Sequence, residues 1–153
     1  MSDVALPVGT REHPRATVAK AWDHDGRPCR IVRIQRVAEA DYERMEADLR
    51  ERGLGGASMR PYHYCGYVRS SLAGGYDDPQ FREIDVHGGL TYGVDEAGWL
   101  GFDAAHARDQ PGWMGSDGER SVDVGGYLTE QVESLAEQVA MIEIERETDD
   151  ERE

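Results

Sequence analysis

Histidine, aspartate and glycine crowd into one stretch of this chain. It runs Glu83-Ile-Asp-Val-His-Gly-Gly-Leu-Thr-Tyr92 and resumes as Gly101-Phe-Asp-Ala-Ala-His-Ala-Arg-Asp109. Imidazoles and carboxylates bind divalent metals and exchange protons near neutral pH. Three readings compete for these residues. In the first, His87 and His106 hold a divalent metal together with Asp85, Asp103 or Asp109, although the spacing matches no established metal motif. In the second, His87 is a general base oriented by a carboxylate, and Gly88-Gly89 lets a substrate approach the backbone; this would be a small metal-dependent or His/Asp hydrolase. In the third, the glycines serve a tight bend, and the histidines and aspartates bond loop ends, which is the commonest use of such residues. The ligand-binding candidates are therefore His87, Gly88, Gly89, Thr91, Asp103, His106 and Asp109. The sequence contains no nucleophile elbow, phosphate loop, HExxH zinc motif or dinucleotide fingerprint.

A hairpin would be needed to bring the two halves together. Asp95-Glu96-Ala97-Gly98 reads as a four-residue turn. A regular register then sets Val94 opposite Trp99, Tyr92 opposite Gly101, Leu90 opposite Asp103, and His87 opposite His106. Directly opposed Cβ atoms lie about 5 Å apart, so the two imidazoles could share a ligand. Thr91 would share their face and Asp103 would take the other. A bulge at Gly88-Gly89 would shift the count by one.

Around the hairpin, periodicity predicts the supporting elements. Residues 29–37, with Ile31, Val32 and Ile34, suit a strand, and Tyr62, Tyr64, Gly66 and Val68 alternate in a second one. Tyr42, Met45 and Leu49 recur at helical spacing over 39–52, and Gly53 ends that helix. Residues 70–79 read as a loop. Residues 81–86 read as a strand with Ile84 and Val86 on one face, and the alternation of Leu90, Tyr92 and Val94 continues it. Leu128, Val132, Leu135, Val139 and Ile142 step by three and four, the seam of a helix of about 18 residues. That seam covers a small sheet in the usual case, and it could also join two copies of the chain as a homodimer. Tyr62, Tyr64, Tyr67, Tyr76, Tyr92, Trp99, Phe102 and Trp113 could form a stacking pocket, but large rings filling a small core are the plainer reading.

The expected fold class is α+β: a small, mostly antiparallel sheet packed by the C-terminal helix and by the helix near residues 39–52. Residues 1–27 are polar, with no sustained period, and read as an irregular arm. Residues 28–144 form the single domain, and residues 145–153 form an acidic disordered tail. Cys29 and Cys65 make no disulfide framework; buried free thiols are expected, with one bridge between them as the alternative.

Composition narrows the function classes. Acidic residues outnumber basic ones 31 to 17 in 153 residues, for a net charge of -14. All the basic residues are arginine except Lys20. Such a surface is unsuited to nucleic acid or an anionic membrane, both of which demand positive charge. No apolar run approaches the roughly 18 residues of a membrane span, and residues 1–15 lack the apolar core of a signal peptide. A cytoplasmic location in the host cell is expected. Dense carboxylates with almost no lysine suit molar salt, where screening acts over about 3 Å and repulsion between them is weak, which suggests a haloarchaeal or haloviral source; an acidic protein of a high-GC bacterium or its phage is the alternative. Residues 143–153 carry seven acids and two arginines, -5 of the total.

The segment Asp85-Val-His-Gly-Gly-Leu-Thr-Tyr92, with Gly98-Trp-Leu-Gly-Phe-Asp-Ala-Ala-His106, resembles a family of small uncharacterised proteins found in tailed phages and scattered prokaryotes. Leu135-Ala-Glu-Gln138, Cys65-Gly-Tyr-Val68 and Tyr76-Asp-Asp78 resemble other parts of that family. The likeness spans roughly residues 62–140, and many relatives have Cys where this chain has Ala104. The resemblance implies a viral or proviral setting and no particular chemistry. The leading expectation is a non-enzymatic accessory protein of a virus or provirus, binding a host protein or small ligand at the His87/His106 hairpin end. The hydrolase is the alternative, with a minor structural protein of the virion as a third.

Overall fold

The computed structural model describes residues 16–35, 39–52, 62–72, 78–104 and 120–151. Strands β1 (Ala16–His24), β2 (Arg27–Gln35), β3 (Tyr62–Arg69) and β4 (Trp99–Asp103) form one sheet in sequence order, each antiparallel to the next. Helix α1 (Glu39–Glu51) connects β2 to β3. A single turn, α2 (Pro79–Arg82), precedes β4, and the long helix α3 (Thr129–Glu151) closes the chain across β2 and β3. The expected α+β class is the observed one. No helix among the described residues is long and apolar enough to cross a membrane.

The main core lies between the sheet and α3. Cys29, Ile31, Val68, Leu100 and Phe102 face the helix seam of Leu128, Val132, Leu135, Val139 and Ile142, all of them buried. The predicted seam thus covers the sheet. β3 can lie this close to the helix because Gly66 has no side chain. A Cβ there would stand 2.6 Å from the Phe102 ring and from Val132 Cγ2. The opposite face of the sheet is also buried: Val32, Cys65, Tyr67 and Trp99 form a second cluster, with Tyr92 packed edge-on to Tyr67 at 5.5 Å. Tyr67, Trp99 and Phe102 are core, with Tyr64 and Tyr92 packed against it, whereas Tyr62 joins neither cluster; Tyr76 and Trp113 lie outside the described residues.

Cys29 pairs with Val68 and Val32 with Cys65 across one ladder. Residues 29 and 32 are three steps apart, so the two thiols point to opposite faces of the sheet and cannot be bridged. Both are free and buried. Burial pushes the Cys29 thiol up to about 11 and the Cys65 thiol up to about 12.

Four expectations need correction. The polar arm expected over 1–27 contains β1 and the start of β2, joined by a two-residue turn. Asp25 (φ 51) and Gly26 (φ 80) occupy the left-handed region at both of its positions, as the turns that match strand twist require. The strand expected over 81–86 is replaced by α2 and an extended segment without a ladder. Asp78 caps α2 by accepting from Gln80 N–H at 2.9 Å, and Pro79 supplies the first helical φ. The strand expected from Leu90 to Val94 reduces to one bridge, Tyr92 with Gly101. At the other end of the domain, α3 runs on through Glu151, into the stretch expected to be tail.

Candidate functional site

The His87 segment is pinned to α3 by side-chain amides. Gln138 Oε1 accepts from Asp85 N–H at 2.8 Å, and its Nε2 donates to the Asp85 carbonyl at 2.9 Å. One helical heptad earlier, Gln131 Oε1 accepts from His87 N–H at 2.8 Å. Two glutamines therefore satisfy backbone groups that a neighbouring strand would otherwise satisfy, and Ile84 and Val86 enter the core between them. The buried imidazole of His87 meets the Tyr127 hydroxyl through Nδ1 at 2.8 Å. It sits beside Phe102, with ring centroids 6.5 Å apart.

A five-residue π-turn, Val124–Leu128, presents Tyr127 to this ring. Asp123 opens the turn by accepting from the Gly126 and Tyr127 amides. Gly88 (φ 67) and Gly89 (φ 81) then reverse the chain, with Gly89 N–H donating to the Val86 carbonyl.

Among the described residues, Asp85, Thr91 and Asp103 do not converge on His87. Asp85 is exposed. Thr91 is also exposed, and its N–H donates to the Gly101 carbonyl. Asp103 pairs with Cys65 on the sheet face away from α3, whereas His87 sits on the α3 side. His106 and Asp109 lie outside the described residues, as does the expected pairing of His87 with His106. The expected turn is present: the Asp95 carboxylate accepts from the Ala97 and Trp99 amides and from the Tyr92 hydroxyl.

Two arrangements at the β1–β2 end were not visible in the sequence. The first is a cleft of about 670 Å³ between the Asp25–Pro28 turn and residues 94–98, with 69–72 and Glu143 as its remaining lining. An ion pair braces it: Arg27 donates from both terminal nitrogens to the two Glu143 oxygens, at 3.0 and 2.5 Å, and from Nη1 to the Arg69 carbonyl. Ser70 Oγ donates to Glu143 at 2.7 Å. Burial alone would raise the Glu143 pKa, but the hydrogen bonds from Arg27 and Ser70, together with the Arg27 charge, hold it below the ordinary glutamate value.

The second arrangement is a polar seam between β1 and α3. Lys20 Nζ donates to Thr129 Oγ1 at 2.8 Å, Trp22 Nε1 donates to Glu133 Oε2 at 3.1 Å, and His24 lies between Glu133 and Glu137. Two residues of strand rise about 6.6 Å and four of helix about 6.0 Å, so the two ladders stay nearly in step. At the last rung, His24 Nδ1 faces Glu133 Oε2 at 3.3 Å. Its Nε2 faces Glu137 Oε1 at 3.5 Å and Asp25 Oδ2 at 3.7 Å. The Asp25-Gly26 dipeptide, a strong hairpin signal, could have revealed this corner in the sequence. The helix-borne carboxylates that complete it carried no such signal. Among the described residues, His24, Asp25 and Glu137 are the one group of three or more His, Cys, Asp or Glu side chains whose donor atoms converge tightly enough for a metal.

Comparison with known proteins finds no match: no protein family, no curated protein and no solved structure shows significant similarity to the chain.

Proposed function

We propose that the chain is a non-enzymatic accessory protein of a virus or provirus that binds a polar segment of a host protein, or a small polar ligand. The reading places the ligand in the cleft between the β1–β2 turn and residues 94–98, beside the hairpin turn. One observation carries it: the Arg27–Glu143–Ser70 network braces the cleft from two strand ends and the helix at once, so the walls are set before a ligand arrives. Binding to preorganised walls avoids an ordering cost. The His87 ring, by contrast, is buried with one nitrogen already committed to Tyr127. The acidic, lysine-poor surface suits work in molar salt within a host cell.

A fragment screen followed by amide NMR at high salt tests this reading. Ligand-induced shifts should concentrate at residues 69–72 and 94–98 and disappear in Ser71→Arg, a substitution at an exposed position of the cleft wall. Shifts confined to 85–89, or hydrolysis of model esters that is lost in His87→Ala, would establish the hydrolase instead.

A further inference from the structure

We propose that His24, Asp25 and Glu137 form a binding site for a divalent transition-metal ion such as Zn²⁺, with Glu133 positioning the imidazole. The three donor atoms lie within 4.8 Å of one another. A tetrahedral ion with bonds of about 2.0–2.1 Å holds its donors roughly 3.3 Å apart. The separations of 3.5 and 3.7 Å from Nε2 to the two carboxylates are too long for hydrogen bonds and close to that tetrahedral edge.

A second observation is independent of the carboxylates. His24 Nε2 is shielded from solvent and makes no hydrogen bond among the described residues, an uncommon state for a buried polar atom. A metal bond would satisfy it. The other ring nitrogen has the environment of a metal-bound histidine, because Nδ1 faces the Glu133 carboxylate, which is itself held by the Trp22 indole. A proton on Nδ1 directed at Glu133 leaves the lone pair on Nε2, aimed between Asp25 and Glu137.

The backbone supports the same geometry. Asp25 reaches the site because the turn holds it at φ 51, and Glu137 reaches it because it sits one helical turn after Glu133. One imidazole and two carboxylates favour Zn²⁺, Co²⁺ or Mn²⁺ over Mg²⁺ or Ca²⁺, which take all-oxygen sets. Asp25 and Glu137 are largely exposed, at 84% and 66%, so water can complete the coordination. The site does not depend on the ligand-binding role of the cleft.

Titration of the full chain with Zn²⁺ in 1 M NaCl, which screens loose attraction to the acidic surface, tests the proposal. One equivalent should bind. Affinity should fall at least tenfold in His24→Ala and in Glu137→Gln, and about tenfold in the positioning variant Glu133→Gln. Circular dichroism should show each variant folded, and Glu137→Gln, at an exposed position, keeps the test valid if His24→Ala is not. Co²⁺ in place of Zn²⁺ should give visible bands without thiolate charge transfer, which separates this site from Cys29. No saturable binding at 1 mM Zn²⁺, binding unchanged in both His24→Ala and Glu137→Gln, or a thiolate band would each overturn the proposal.

Discussion

Among the described residues two histidines face α3, and their surroundings differ in almost every respect. His87 is buried, its Nδ1 paired with a neutral hydroxyl and its backbone held by glutamine amides. His24 sits at the sheet's corner, half-buried, with carboxylates facing both ring nitrogens, one of which makes no hydrogen bond among the described residues. In sequence the ranking runs the other way: His87 stands among glycines and aspartates, and His24 lies in a polar stretch without a period. Chemistry at a side chain depends on its neighbours in space. The first environment stabilises a fold, and the second leaves ligand atoms unspent.

The sharpest test of that contrast begins with what the two regions share. Leu135→Ala empties a fully buried position of the α3 seam and should cost about 2–5 kcal/mol in denaturant unfolding, weakening both regions together. Next in size is the separation of the histidines. His87→Ala should cost about 2 kcal/mol by removing a buried ring and its bond to Tyr127. His24→Ala, measured with chelator present, should stay within about 0.5–1 kcal/mol, as for the loss of a partly exposed polar contact. Equal costs would erase the distinction.

Gln138→Ala should cost about 1 kcal/mol, because the Asp85 backbone groups it serves can turn to water. Hydrogen exchange should quicken at the Asp85 amide and leave the Ala21 and Arg30 amides unchanged.

The smallest effects are in pH dependence. Glu143 titrates lower folded than unfolded, so the unfolded chain binds the extra proton and stability falls as pH drops below about 4.5. In Glu143→Gln that acid slope should flatten. Cys29 and Cys65 titrate higher folded than unfolded, so stability should decline as pH rises from 9.0 toward 11 and 12. Both thiols should resist a disulfide reagent at pH 8 until the protein unfolds.

Much of the architecture was legible because it is local. The α3 seam buries positions spaced by three and four, which shows as a period in the chain, and β2, β3 and β4, buried on both faces, show as short apolar runs. β1 was hidden because it is an edge strand whose α3-facing residues are Lys20, Trp22 and His24. These bury their bodies while their polar tips reach helix side chains, so no apolar alternation marks the strand. The segment 81–86 misled for the opposite reason. Ile84 and Val86 do alternate into the core, but the partners of their backbone are glutamine side chains, which no period reports.

Composition and spacing were enough for the fold class, the seam that covers the sheet, the turn at Asp95 and the crowding around His87, because each is a property of neighbouring residues. The corner at His24 was decided by tertiary structure alone. Trp22 and Glu133 meet across 111 residues, and the near-match of strand and helix rise brings successive carboxylates of α3 beside successive residues of β1. Donor atoms supplied by two elements so far apart converge only when one has packed along the other.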